Sequence, residues 1–330
     1  MKTPIFTGYH GKCHIQGIAV DKQNGYIYYS FTTKLIKATL EGEIIGSVDG
    51  LVGHLGCIAF NEEDGCVYGS LEYKSDSIGR GILKNLGTDV KFDDAFYVVK
   101  FDVSKIDRPD TDAHDVMTAI YLKEVVDDYN GDGIGKDGSP VPHRHGCSGI
   151  DGLTFAPHPN KKHLCLYVAY GVYSDINRDD NDYQVLLCFD HTEWKRYEKP
   201  LDQNNMHVSG PAKPLDKFFV YTGNTTYGVQ NLEYDKFTEC IFMAVYRGAK
   251  PEYENYSLFA IDCTVPPKTE KIGKVLFLKS EGWHFPYGST GLYSFGDGSW
   301  LISRNQSTPD GQCAYIHYYK FDGLHPFVLQ

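Results

Sequence analysis

Short apolar runs and turn-rich polar patches alternate along this chain, and the alternation repeats. In residues 14–33, HIQGIAVDKQNGYIYYSFTT, the apolar Ile15, Ile18 and Val20 precede a turn-forming patch from Asp21 to Gly25 and then a Tyr-rich run. That is the pattern of two strands joined as a hairpin. A second copy fills 54–73, HLGCIAFNEEDGCVYGSLEY, and weaker copies begin at Gly149, Gly228 and Gly288. Each unit supplies four candidate strands. The first strands read GIAVD, CIAFN, GLTFA, NLEYD and GLYSF; the second read YIYYSFTT, CVYGSLEY, CLYVAYGV, IFMAVYRG and WLISRNQS. Third strands tend to end on an acid, at Asp102, Asp190, Asp262 and Asp322, and short apolar runs (EIIGSV, AIYLKE, FFVYTG, KVLFLK, PFVLQ) serve as the fourth.

These copies predict an all-β chain, a five-bladed β-propeller of four-stranded antiparallel blades over residues 1–330, with blades starting near 14, 54, 149, 228 and 288. A six-bladed ring is the alternative. It needs a further unit in 95–145, which supplies two convincing strands that the second blade already uses. A blade takes about 40–50 residues, so the surplus falls into insertions at 74–95, 124–148, 174–183 and 191–215 and a polar loop at 103–116. One small residue recurs in every second strand (Ser30, Ser70, Ala169, Ala244, Ser303), where strands crowd toward an axis. The N-terminal TPIFTG is expected to pair with PFVLQ or HYYKFD and close the ring, since an open one exposes two edges. No helix of note is expected beyond a short one at Asp190–Lys195.

Charge and cysteine content narrow the function classes. The net charge is −11 with no long basic cluster, which argues against nucleic acid and anionic membranes as partners and allows a small-molecule or saccharide substrate. Nine cysteines without a CxxC pair, no apolar signal region and no long apolar run lead to the expectation of a reducing, cytoplasmic location with buried thiols. Oligomeric state is not readable from the sequence.

Insertions that lead into first strands or follow second strands share one face of a propeller, and function concentrates on elaborated loops over a rigid scaffold. Gln16, Gly56, Asp151, Gln230 and Thr290 occupy equivalent positions at the starts of the blades and should ring the channel mouth. Thr32, Glu72, Gly171, Tyr246 and Asn305 hold the matching row at the second-strand ends, with Arg247 and Arg304 beside them. Six of thirteen histidines (His10, His14, His54, His143, His145, His284) map to the same face, and neutral imidazole suits zinc, manganese or a general base. Glu72 and Asp151 are the two axial carboxylates, a pairing that serves acid/base chemistry on glycosides. Asp128, Asn130 and Asp132 match the first half of a calcium loop, although Ser139 stands where the pattern wants Glu. A nucleophile elbow, a Walker loop, a GxGxxG after a strand and HExxH are all missing from the sequence.

The repeat of a polar lead residue, G-[IL]-x-[FV], a turn and an x-Y-x-[SA] strand resembles the broad propeller superfamily of NHL repeats and gluconolactonase-type metal-dependent lactonases. That likeness implies one divalent ion in the channel, held by Glu, Asn and Asp. Here the ring reads Gln16, Asp151 and Gln230 with histidines, so the family's ligand set does not carry over. Arabinanase-type five-bladed glycosidases and some propeller polysaccharide lyases are similar at the same level.

The resulting expectation is a metal-assisted hydrolase or lyase acting on a small sugar derivative in the channel. Asp151, Glu72 and His145 are its catalytic candidates. Gln16, Gln230, Arg247, Arg304, Tyr73, Tyr170 and Trp283 are its substrate contacts. His14 and His54 are ligands for a channel metal, and Asp128, Asn130 and Asp132 for calcium. The alternative is a non-catalytic propeller that binds a small ligand or a protein.

Overall fold

Five sheets stand around a common axis and form a five-bladed β-propeller. The structure is a computed structural model and describes residues 2–321, 323 and 326–330. From the axis outward, blade 1 comprises Ile15–Asp21, Tyr26–Phe31, Lys34–Thr39 and Ile44–Asp49, with Thr111–Asp112 added in parallel. Blade 2 comprises His54–Asn61, Cys66–Tyr73, Ala95–Phe101 and Met117–Tyr121, edged by Lys199–Pro200. Blade 3 runs through Cys147–Pro157, Leu164–Val172, Tyr183–Phe189 and Asp216–Tyr221.

Blade 4 departs from the expected pattern. It has three strands, Thr225–Asp235, Cys240–Arg247 and Leu258–Asp262. The KVLFLK run divides: Gly273–Val275 joins the outer edge of blade 3 in parallel, and Leu278 makes a single bridge to Ile261. One segment thus seals the edges of two neighbouring blades.

In blade 5, Leu292–Ser294 and Ser299–Thr308 lead to Gly311–Lys320. The far side of that last strand pairs with both chain ends: Ile5 opposes Ile316, and Leu329 opposes Tyr319. Asp322, expected to finish the third strand of blade 5, lies outside the described residues. At the equivalent corners Asp102, Asp190 and Asp262 accept the N–H of the residue two on, which is why an acid ends these strands.

Among the described residues the buried apolar side chains fall into five clusters, one at each blade interface. Phe242 and Trp300 meet edge to face between blades 4 and 5, for example, and Tyr68 meets Phe155 between blades 2 and 3. A sixth blade has no interface to occupy. The small row in the second strands does more than save space. Ser30 Oγ donates to Gly56 O at 2.7 Å and Ser70 Oγ to Asp151 O at 2.6 Å, each tying a blade to the next one's inner strand.

Helices occur where the apolar pattern announced none. Ser77–Leu86 is capped by Asp76, whose Oδ1 accepts the Ile78 and Gly79 N–H groups at 2.9 Å. Lys123–Tyr129 forms a second helix, and a 3-10 helix at His191–Arg196 covers the short one expected near Asp190. No helix among the described residues is long and apolar enough to cross a membrane.

Candidate active site at the mouth of the channel

The inner strands of blades 1 to 4 carry β-bulges where they approach the axis. Pairing slips between Ile15 and Gly17, between Leu55 and Ile58, between Ile150 and Leu153, and between Val229 and Asn231. The slips fall on Gln16, Gly56–Cys57, Asp151–Gly152 and Gln230. A bulge re-aims a side chain out of the ladder, and Gln16, Asp151 and Gln230 accordingly line one cavity of about 420 Å³. His14, His54 and Glu72 share it, as do Thr32, Gly171 and Tyr246 from the second strands. Ile78, Ile82 and Asn85 of the Ser77–Leu86 helix form its outer wall.

An ion-pair network lies at the centre. Lys74 Nζ approaches Glu72 Oε1 at 2.6 Å and donates to Ser148 O at 2.8 Å. His54 Nδ1 meets the same Glu72 oxygen at 3.2 Å, and the Ile150 N–H donates to Oε2 at 3.0 Å. Glu72 and Lys74 are both buried. Burial pushes the Glu72 carboxyl up, but Lys74 and His54 outweigh it and hold the group below the ordinary range. Burial alone lowers Lys74 and His54; the facing carboxylates raise both above their ordinary values.

Asp151 has the opposite balance. Buried beside the pair, its carboxyl is driven up to about 7, chiefly by burial; His54 pulls down and Glu72 up. Its Oδ1 has no hydrogen-bond partner among the described residues, and the nearby Cys57 backbone pulls the carboxyl down. A Cβ on Gly56 would lie 2.1 Å from that oxygen, so glycine at the blade 2 position leaves the room that the carboxyl fills. His14 is held low, mainly by burial and secondarily by His54. Two carboxylates at one mouth therefore differ: its partners favour the ionised form of Glu72, and burial favours the protonated form of Asp151.

No family model matches the chain, and the curated proteins contain no match either. Solved structures do resemble it. A functionally unknown protein from Desulfotomaculum acetoxidans DSM 771 is 9% identical with a TM-score of 0.38, over 96% of this chain and 68% of that one. A gluconolactonase from Xanthomonas campestris is 11% identical with a TM-score of 0.34, over 96% of this chain and 95% of that one. The likeness to gluconolactonase-type propellers is a broad one, of blades in a ring, without a specific family and without bearing on the reaction.

Several expected contacts lie elsewhere. His145 packs edge-on to Phe219 in blade 3, away from the cavity; burial, then Lys217, push its imidazole down to about 4. The lead-in segment turns at His143 and His145, both at positive φ, which carries the ring outward. Tyr73 and Tyr170 are core residues, donating to Gln203 and Asp128. Trp283 packs on Phe321 at the outer edge of blade 4. Arg247 is exposed and donates to Asn255 O, and Arg304 sits over the Tyr287 ring and bonds the Tyr319 hydroxyl. Tyr73, Tyr170 and Arg247 each adjoin the second-strand residue that does line the cavity (Glu72, Gly171 and Tyr246), and alternation along a strand turns them to the other face.

The calcium-like loop is not a loop. Asp128 lies in the last turn of the Lys123–Tyr129 helix, Asn130 caps that helix, and Asp132 is exposed in a hairpin strand. The Asp128 carboxylate is turned inward and taken by Arg144 at 3.1 Å, by the Tyr170 hydroxyl at 2.8 Å and by Lys217. The channel donors do not fit a divalent ion either: both Glu72 oxygens are committed, and the Lys74 ammonium supplies the positive charge. Among the described residues no three His, Cys, Asp or Glu side chains are grouped to hold a metal.

Lys74 was missed from sequence, although a signal existed. In an extended chain Glu72 and Lys74 are two apart and point the same way, and an acid–base pair so spaced at an axial strand end marks a buried pair.

Proposed function

We propose that this protein is a hydrolase acting on a small, polar, sugar-derived substrate such as a lactone at the channel mouth, without a metal. The observation that carries the reading is the buried Asp151 carboxyl, one oxygen unpartnered, poised near neutrality beside a fixed Glu72–Lys74–His54 network. Ionised, Asp151 takes a proton from an attacking water; protonated, it returns one to the leaving oxygen. His54, held at Nδ1 by Glu72, keeps Nε2 for the substrate. Lys74 supplies the positive charge that a metal ion provides in other sites. Gln16 and Gln230 offer amides for hydroxyl groups, and the apolar helix wall at Ile78 and Ile82 covers a ring face.

The test is proton release from a panel of sugar lactones, with and without chelator. D151N is expected to lose 10²–10⁴-fold in kcat, about what one acid/base group contributes, and chelator is expected to leave the rate unchanged. An unimpaired D151N, or a rate abolished by chelator and restored by a divalent ion, overturns the reading.

A further inference from the structure

The inner strands all run the same way, so their far ends converge at the opposite end of the axis. They leave a second cavity there of about 490 Å³, reached by all five blades. Three residues beyond the bulge position the strands carry Ala19, Ala59, Thr154, Glu233 and Tyr293. The two alanines open the space. Thr154 Oγ1 accepts the Tyr234 N–H at 3.2 Å, a bond between neighbouring blades. Glu233 Oε1 makes the corresponding bond one blade on, accepting the Ser294 N–H at 2.8 Å.

For that bond a carboxyl is an unfavourable choice. Threonine or glutamine satisfies the same N–H without an ionisable group in this half-buried position, and such a group without a counter-charge is costly. Ser294 N–H is the only donor to the Glu233 carboxyl among the described residues. Lys22, the lysine that acts on it, is held by Glu62 at 3.4 Å. Burial accordingly drives Glu233 up to about 8, Ser294 pulls it down, and Asp235 adds to the rise. Around it lie Phe155 and Tyr293, and the titratable groups lining the cavity are Glu62 and Glu63 against Lys22 and Lys236, with His191. A carboxyl without a counter-ion and aromatic walls together favour a cation, whose arrival displaces the Glu233 proton to solvent.

We propose that this cavity is a second ligand site, which takes a small organic ammonium ion, with Glu233 as its counter-charge and Phe155 and Tyr293 as its walls. The site is separate from the reaction at the other mouth and does not depend on it.

Calorimetric titration with benzylammonium tests this, with benzyl alcohol as the neutral control of the same shape. One saturable site is expected in the wild-type protein, at least tenfold weaker in E233Q and unchanged in D151N. E233Q keeps an oxygen for the Ser294 N–H, and its thermal unfolding verifies that it folds. The proposal is overturned by equal affinity in E233Q, by benzyl alcohol binding as well as the cation, or by no saturation at about 1 mM benzylammonium.

Discussion

Two carboxylates at one mouth, Glu72 and Asp151, differ because of what each can reach. Glu72 meets an ammonium, an imidazole and a backbone N–H; Asp151 meets burial with one oxygen unpartnered. Asp151 is therefore a liability to the fold once ionised. Its folded value near 7 lies above the ordinary aspartate value of 3.8, so the native state binds more protons than the unfolded chain between those values. Stability must then fall as pH rises through that window, at up to about 1.4 kcal/mol per pH unit. D151N should reduce the fall in melting temperature between pH 4 and 7, leaving the part due to Glu233, and melt higher than the wild type at pH 8. Lys74 bears on stability the other way. K74M leaves a buried anion uncompensated and is expected to cost about 3–5 kcal/mol in urea unfolding, whereas the E72Q/K74M double variant should recover much of it.

At the scale of elements, the bulge is the device that turns a repeat into a site. Four of the five copies of the inner strand bear a polar residue at one position (Gln16, Asp151, Gln230, Thr290), but a break in the ladder is what directs Gln16, Asp151 and Gln230 at the axis, and room must be left opposite. Gly56 leaves that room. In G56A the added methyl would fall 2.1 Å from Asp151 Oδ1 and 2.6 Å from Ser70 Oγ. The carboxyl and the inter-blade bond must both shift, and we expect a loss of about 1–3 kcal/mol together with most of the activity, read by unfolding and by the lactone assay. The Ser77–Leu86 helix was illegible for a related reason. Its sequence, SIGRGILKNL, holds two glycines and is too short to show a convincing helical period; the Asp76 cap and the cavity it covers are what hold it in place.

On the scale of the whole molecule, closure depends on chain ends far apart in sequence. Ile5–Phe6 and Val328–Leu329 share the outer side of the last strand of blade 5. Deletion of residues 2–8 removes the buried Ile5 and bares that edge. A loss of about 2–3 kcal/mol is expected from the isoleucine alone, with concentration-dependent association by size-exclusion chromatography. A peptide of residues 2–8 added in trans should reverse both.

The number of blades, the first three strands of each and the ring of Gln16, Asp151 and Gln230 were legible in the sequence, because strand period and turn residues are local and the repeat states them five times. The fourth strand of blade 4 was not, since a short apolar run reads the same whichever edge it joins. The loop pattern at Asp128 misled because calcium spacing and a helix C-terminus both tolerate Asp, Asn and Gly; what the carboxylate faces is decided by Lys217 and Tyr170, distant in the chain. His145 and Trp283 were grouped by position along the chain, but distance from the axis depends on backbone turns that the pattern does not encode. The sequence by itself determined the propeller and the blade positions that could serve function. The tertiary structure decided which charges meet: it put Lys74 on Glu72 and left one Asp151 oxygen unpartnered among the described residues, because burial and pairing arise only where separate blades converge.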